Sequence, residues 1–317
     1  MLVLAEEFKK DTGFSIIFVT NISDVSRDIL SNYDFKHIQS PCNAGDINEL
    51  DFFKKNGNLL SDTSTWILDS KRINRDYCES LKRYNQLIVL IDDELFRSYD
   101  CDLIINNNIY AKQSCYKNVD ERKLLLGTEY NLIDKKYFFP NKDKIMNSLL
   151  ITLGGEDPND DTSWLIENFH EYLFEKSVTI IVGPAHPDSE RVATVAKKYL
   201  SNAEIISFPP DLSEYISCSS LVISAGGTTT YEVLAGQTHL ACISLEEHQD
   251  KLIMNLVNEG LASVLCFSGD RDVDIFRGKL KAFLSQQDAL TEHRSICEKY
   301  FRMCGAEKIM GRIKQLH

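Results

Sequence analysis

The chain is 317 residues long, 43% hydrophobic and 26% charged, about twice a common domain, so the expectation is two folded domains without extended disorder. A net charge of −12 repels polyanions, which argues against nucleic acid or an anionic membrane surface as partner and requires any anionic ligand to have a local site. Nine cysteines lie scattered, with no C-x-x-C pair and no His/Cys cluster at zinc spacing, so no disulfide framework, metal or cofactor is expected, and reduced thiols fit a cytoplasmic protein.

The chain opens on an amphipathic helical pattern over residues 1–10, with Leu2, Ala5 and Phe8 on one face. Glu6, Glu7, Lys9 and Lys10 do not form a secretory leader, and no run reaches the roughly 20 apolar residues a membrane span needs. The protein therefore reads as soluble, without stable membrane insertion. Strands are predicted at residues 15–20, 66–69, 87–92 and 102–106, alternating with helical stretches in the manner of a parallel α/β sheet. A polar and aromatic stretch at 135–144, with Pro140 inside it, reads as an interdomain connection, and the boundary is set near Lys142. This gives domains 1–142 and 143–317. The second half repeats the style, with strands at 148–153, 178–183, 204–208, 221–225 and 239–243. Residues 290–317 are helical in pattern, and the last helix is expected to pack back on the first domain.

No strand precedes the opening helix. A doubly wound domain keeps its first strand in the middle of the sheet, so its omission would leave two neighbours with unpaired backbone groups. Two readings stand: the domain begins with a helix, or a strand and its loop lie upstream of Met1. An unpaired central edge would invite a partner strand, one route to an oligomer.

The main chemical signal is LVISAGGTTTYEVLAG at 221–236, a buried-strand run, a small-residue turn and a helical pattern. Gly226 and Gly227 permit a tight turn and close ligand approach, and Thr228 opens a helix whose N-terminal amides suit a diphosphate. Glu232 could accept from a ribose diol or simply complement the positive helix end. A second turn, Gly154–Gly155, follows the strand at 148–153, and ligands of open α/β sheets collect at that edge. His248 and Gln249 follow the strand at 239–243 and could meet a phosphate or a sugar hydroxyl, or form a solvated helix start.

These segments (LITLGGEDPND, SAGGTTTYE, the Gln249 region and the terminal CGAEKIMGRI, with weaker likeness in LVLAEEFKK and VLIDDELFRSYDCDLIINNN) resemble the UDP-sugar hydrolases of pseudaminic acid biosynthesis and the related spore-coat polysaccharide proteins. They are similar to GT-B proteins with a glycosyltransferase family 28 C-terminal domain. The resemblance implies an α/β GT-B fold: two Rossmann-like doubly wound domains facing a cleft, the first lacking its first strand. It implies a UDP-sugar partner, with Gly226, Gly227 and Thr228 at the diphosphate, Glu232 at the ribose and Gln249 at the diphosphate or sugar. In that family a glycine-rich loop before the LVLAEE-like helix carries the histidine proposed as general base; here Met1 falls at the helix itself. The family's Asp-His-Tyr reads Asp69-Ser70-Lys71 in this chain.

Loss of UDP from an anomeric carbon needs a base to activate the nucleophile, while the glycine-loop amides and helix dipole can stabilise the leaving diphosphate. Asp92 and Asp93, at a predicted strand end, and Asp69 are the candidate bases; His37 is expected to be structural. Hydrolysis of a UDP-sugar, glycosyl transfer from one, and nucleotide-sugar binding without turnover remain the three alternatives.

Overall fold

A computed structural model describes residues 1–11, 13–21, 30–31, 33–56, 59–84, 86–93, 100–138, 144–286 and 290–317. Pro140 and Lys142, on which the sequence places the domain boundary, lie outside the described residues. The chain divides into two compact units, Met1–Leu132 with Gly305–His317, and Ile133–Cys304. No described helix is long and apolar enough to cross a membrane.

The first unit opens with α1 (Leu2–Lys9), which buries Leu4, Ala5 and Phe8 and packs against the last helix of the chain. Its strands β1 (Ile17–Thr20) and β2 (Lys36–Gln39) form one parallel pair, and β3 (Thr65–Leu68), β4 (Leu87–Ile91), β5 (Leu103–Asn106) and β6 (Leu124–Leu126) form a separate parallel sheet. Among the described residues β1 therefore pairs only with β2, and β3 only with β4. Helices α2 (Ile47–Lys55), α3 (Leu59–Asp62) and α4 (Arg75–Lys82) accompany these strands. Leu50, Phe53, Trp66, Leu68, Leu81, Ile88 and Leu90 share one core, against which Ile17, Val19 and Ile38 pack.

The second unit holds one continuous parallel sheet in the order β12-β11-β10-β7-β8-β9. Its strands are β7 (Ser148–Thr152), β8 (Ser177–Val182), β9 (Glu204–Ser207), β10 (Leu221–Ala225), β11 (His239–Ile243) and β12 (Ser263–Cys266). Three of its interior strands, β7, β10 and β11, are buried along their whole length, which is why they read as largely apolar runs. Its helices are α5 (Asp161–Leu173), α6 (Ser189–Tyr199), α7 (Ser213–Cys218), α8 (Thr228–Ala235), α9 (Glu247–Asn258), α10 (Val273–Leu284) and α11 (Leu290–Tyr300). Phe169 of α5 stacks on Phe276 of α10 with ring centroids 4.6 Å apart, both essentially unexposed, so truncating either to Ala would cost about 3–5 kcal/mol. Lys144 enters this unit by donating to the carbonyls of Ile216 and Gly236, closing the C-terminal ends of α7 and α8.

The last helix, α12 (Ala306–Lys314), belongs to the first unit. Its N-cap, Gly305, lies against the Tyr130 backbone, where an added Cβ would fall 2.5 Å from Cα, and its amide donates to the Asn131 carbonyl at 2.7 Å. The predicted strands are all present, within two residues at either end. Three further strands, β2, β6 and β12, carried no prediction.

Candidate functional site

From β7 the chain of the second unit runs outward through β8 to β9, then returns to place β10 on the other side of β7. The order reverses between β7 and β10, and a crevice opens at the C-terminal edge wherever two neighbouring crossovers leave in opposite directions. Two turns flank this switch point, the Gly154–Gly155 turn after β7 and the Gly226–Gly227 turn after β10.

In the turn after β10, Gly226 is required by close approach: a Cβ there would lie 2.8 Å from Gln249 Cβ and 2.9 Å from Ile253 Cδ1. A Cβ on Gly227, in contrast, would meet nothing within 4 Å. Gly227 is the N-cap of α8, and no side chain caps that helix. Thr228 is exposed, while the Thr230 hydroxyl turns back to the Gly227 carbonyl at 2.6 Å. The Ser224 hydroxyl, last but one in β10, is buried without a hydrogen-bond partner among the described residues. The arrangement offers backbone amides, a helix dipole and an unmet hydroxyl within five residues, a set suited to an anion.

Gln249, in the first turn of α9, clips this turn to the one after β11. Its Oε1 accepts from the amides of Gly226 at 3.2 Å and Leu245 at 3.0 Å, so the oxygen is committed to the two turns and Nε2 is the side chain's donor. His248 is half exposed, with Nδ1 3.0 Å from Glu246 Oε2. Like α8, helix α9 has no side-chain cap.

The turn after β7 is built differently. Gly154 has φ +89°, and Gly183 presses on it so closely that a Cβ there would collide with the carbonyls of Gly154 and Gly155. Asp157 then accepts from the amides of Asp161 at 2.8 Å and Thr162 at 2.9 Å and from the Thr162 hydroxyl at 2.7 Å, while Asp160 accepts from the Ser163 amide at 3.3 Å. The start of α5 is thus satisfied by its own carboxylates. Asp157, Asp160 and His186 bring ligand-type atoms within 4.8 Å of one another. The set suits a cation poorly: Arg191 Nε stands 3.1 Å from Asp160 Oδ2, and His186 Nδ1 accepts the Asp188 amide at 3.0 Å, leaving the ring proton on Nε2, which faces the two carboxylates.

Glu232, one turn into α8, is largely buried among Tyr137, Lys136, Asp134 and Asp211. Burial pushes its carboxyl up to about 7, against the opposing pull of Lys136 and a hydrogen bond with Tyr137. Lys136 Nζ lies 3.1 Å from Asp211 Oδ1. Sequence reasoning found Glu232 but not these neighbours, two of which, Lys136 and Tyr137, come from the stretch at 135–144 read as an interdomain connection; its Lys-Lys-Tyr-Phe run at 135–138 was the available signal. Phe208 begins the loop leading to Asp211. It combines a strained φ of +40° with 47% exposure, a combination that marks functional loops.

In the first unit, Asp69 and Asp93 are exposed and follow the adjacent strands β3 and β4. Asp92 is fully enclosed: its Oδ2 accepts from the Tyr116 hydroxyl at 2.9 Å, and that hydroxyl accepts from Asn106 at 2.9 Å. His37 Nε2 lies 2.7 Å from the Thr20 hydroxyl across the β1–β2 pair.

Residues 150–270 match the glycosyltransferase family 28 C-terminal domain. The uncharacterized protein MJ1062 of Methanocaldococcus jannaschii is 24% identical over 247 residues, 74% of this chain and 49% of that protein, so the chain spans about half the length of this curated relative. Among solved structures, Acinetobacter baumannii MurG is similar at TM-score 0.68 and 13% identity, covering 100% of this chain and 95% of MurG. Anabaena Alr3699/HepE in complex with UDP-glucose is similar at TM-score 0.64 and 9% identity, covering 100% of this chain and 95% of that one. At such identities the structural likeness speaks for fold. With its parallel sheets and its region of family 28 similarity, the chain has the GT-B, glycosyltransferase-like fold of two Rossmann-like units.

Proposed function

We propose that the second unit binds a UDP-sugar at the turn after β10 and that the protein is an enzyme releasing UDP from the anomeric carbon. The observation that carries this reading is the Gly226–Gly227 turn at the switch point, with an uncapped α8 and the unmet Ser224 hydroxyl. The diphosphate would lie against the Gly226–Gly227 turn, on the Thr228 amide that opens α8 and on Gln249 Nε2, with Gly154, Gly155 and His248 at its margins, since the Gly226 and Gly227 amides already donate to Gln249 Oε1 and the Ala225 carbonyl. Glu232 would take the ribose diol, and the Phe208 ring would offer a face to the base. The complex of Anabaena Alr3699/HepE with UDP-glucose, on a similar fold, supports the choice of ligand.

In the reaction the bond from the anomeric carbon to the diphosphate oxygen breaks, and the electron pair leaves with UDP, whose growing charge the turn amides stabilise. A nucleophile enters the opposite face and gives up its proton to a base. The candidates for that base remain those of the sequence, Asp69 and Asp93, which are exposed carboxylates, and Asp92, which is enclosed and bonded to Tyr116. With water as nucleophile the protein is a UDP-sugar hydrolase, and the resemblance to the pseudaminic acid and spore-coat polysaccharide proteins favours this branch. The family 28 match favours the second reading, a glycosyltransferase whose nucleophile is an acceptor hydroxyl.

One assay separates them: NMR detection of UDP release from candidate UDP-sugars, with and without sugar acceptors. Release in water alone identifies the hydrolase, and release only with acceptor the transferase. UDP binding without release under either condition would leave a nucleotide-sugar binder and sink the enzymatic reading.

A further inference from the structure

Gln249 is held by more than the two amides on its Oε1. The turn after β11 is bound to the loop after β12, since the Ser244 amide donates to the Cys266 carbonyl at 3.1 Å. That loop is bound in turn to the first turn of α9, where Asp250 accepts from the Ser268 amide at 3.0 Å and the Ser268 hydroxyl at 2.7 Å. Arg271 joins both to the start of α5. Its Nη2 donates to the Ser244 carbonyl at 3.3 Å and lies 2.9 Å from Asp161 Oδ1, which also accepts from Nε at 3.0 Å. Its Nη1 donates to the Phe267 and Asp270 carbonyls at 3.2 Å and to Cys266 Sγ at 3.1 Å. A guanidinium has five N–H donors in a fixed fork, and here all of them are engaged within the protein. Asp161, the anchor, is only 4% exposed.

We infer that Arg271 is a positioning residue of the nucleotide site, bracing the Ser244–Leu245 peptide against α5 so that Gln249 keeps its grip on Gly226. This rests on the UDP-sugar reading above. The Ser244 carbonyl and the Leu245 amide belong to one peptide unit, which is planar, so the donor that fixes the carbonyl also fixes the direction of the N–H. Arg271 holds the oxygen side of that unit and Gln249 Oε1 the nitrogen side, and the same Oε1 receives the Gly226 amide. If the peptide turns, Gln249 loses one of its two donors and Nε2 loses its set place beside the turn after β10. With its own donors all engaged, Arg271 acts on a ligand only through Gln249.

Removing the arginine alone would leave Asp161 buried and uncompensated, so the test pairs Arg271→Met with Asp161→Asn. Methionine keeps an unbranched stem near Trp164, over whose ring the guanidinium lies at 5.7 Å. UDP affinity, measured by calorimetry, should fall about fivefold in the paired variant. In a Gln249→Ala background the same two changes should cost less than about 1.5-fold, because the residue through which they act is gone. Arg271→Lys keeps a cation beside Asp161, but one nitrogen cannot serve the carboxylate and three carbonyls together, so UDP binding should weaken by about threefold. An arginine that only stabilised the fold would lower the unfolding midpoint without changing UDP affinity or its coupling to Gln249. UDP binding at wild-type strength by either folded variant, or an undiminished loss in the Gln249→Ala background, overturns the positioning role alone. Failure of the wild type to bind UDP overturns the nucleotide site and the positioning role with it.

Discussion

The two glycine turns beside the switch point look alike in sequence and behave oppositely in structure. After β7, the carboxylates of Asp157 and Asp160 occupy the amides that open α5, and three residues of the turn hold positive φ: Gly154, Asp157 and Asp160. After β10, among the described residues, no side chain caps α8, a Cβ on Gly227 would meet nothing within 4 Å and the Ser224 hydroxyl lacks a partner. A helix start has the same orphan amides whatever precedes it, and what differs is whether the protein satisfies them itself. The first turn is closed in this sense and acts as a rigid wall. The second is open at the amides that begin α8, and these are the reason to place an anion there; an unpartnered hydroxyl alone does not separate the turns, since Ser163 Oγ in α5 is also buried without a partner among the described residues.

The sharpest way to break this contrast is to fill the open space. Gly227→Val introduces a branched side chain where a Cβ meets nothing, at a φ of −123° that valine adopts readily, so the fold should be unaffected. UDP affinity should fall by about 100-fold, about 2.7 kcal/mol, with the unfolding midpoint unchanged. An unaltered affinity would place the nucleotide elsewhere. The neighbouring Gly226→Ala should instead lose about 2 kcal/mol of stability, because its new methyl meets Gln249 and Ile253. On the closed turn, Asp157→Ala removes three hydrogen bonds from the start of α5 and should also cost about 2 kcal/mol in urea unfolding. Its UDP affinity should stay within about twofold of wild type, since the carboxylate serves the helix and not the ligand. A large loss of affinity in a folded Asp157→Ala would show that the two turns work as one.

How far these turns could be told apart from sequence depended on the range of the contacts involved. Central strands such as β10 and β11 were legible to the residue, because burial on both faces writes a continuous apolar run. The three unpredicted strands are all sheet edges, and Lys-His-Ile-Gln in β2 shows why: a half-exposed edge needs no such run. The glycines were legible as turns, and their place at one edge followed from the strand pattern. The capping role of Asp157 could be guessed from its position before α5, but the neighbours of Glu232 could not. Lys136 and Tyr137 lie about 95 residues away along the chain, in a stretch whose composition resembles a connector, and only the fold brings them together. Asp92 likewise reads as a base at a strand end until Tyr116 is seen to cover it.

Gln249 tests the link between the open turn and its neighbour more gently. Gln249→Ala leaves the amides of Gly226 and Leu245 without their shared acceptor, at a cost of about 1–2 kcal/mol in stability. It also removes the Nε2 donor, and the two losses should appear together as lower stability and roughly tenfold weaker UDP binding. Gln249→Glu separates them. It keeps an acceptor for both amides but sets a negative charge beside the diphosphate, so stability should largely return while affinity does not. If Gln249→Glu bound UDP as well as wild type, the side chain's role would be confined to clipping the two turns.

The smallest expected effect is the most informative about design. Ser224 buries a hydroxyl with no partner, which costs free energy in the unliganded protein, so Ser224→Ala should be neutral or more stable by about 0.5–1 kcal/mol. The same substitution should weaken UDP binding several-fold, because the hydroxyl would gain its partner only in the complex. Opposite signs in thermal melting and calorimetry would identify Ser224 as a group held unsatisfied for the ligand. Equal signs, with both stability and affinity falling, would mean that the hydroxyl is bonded within the protein, and the case for an open turn would then rest on the α8 amides alone.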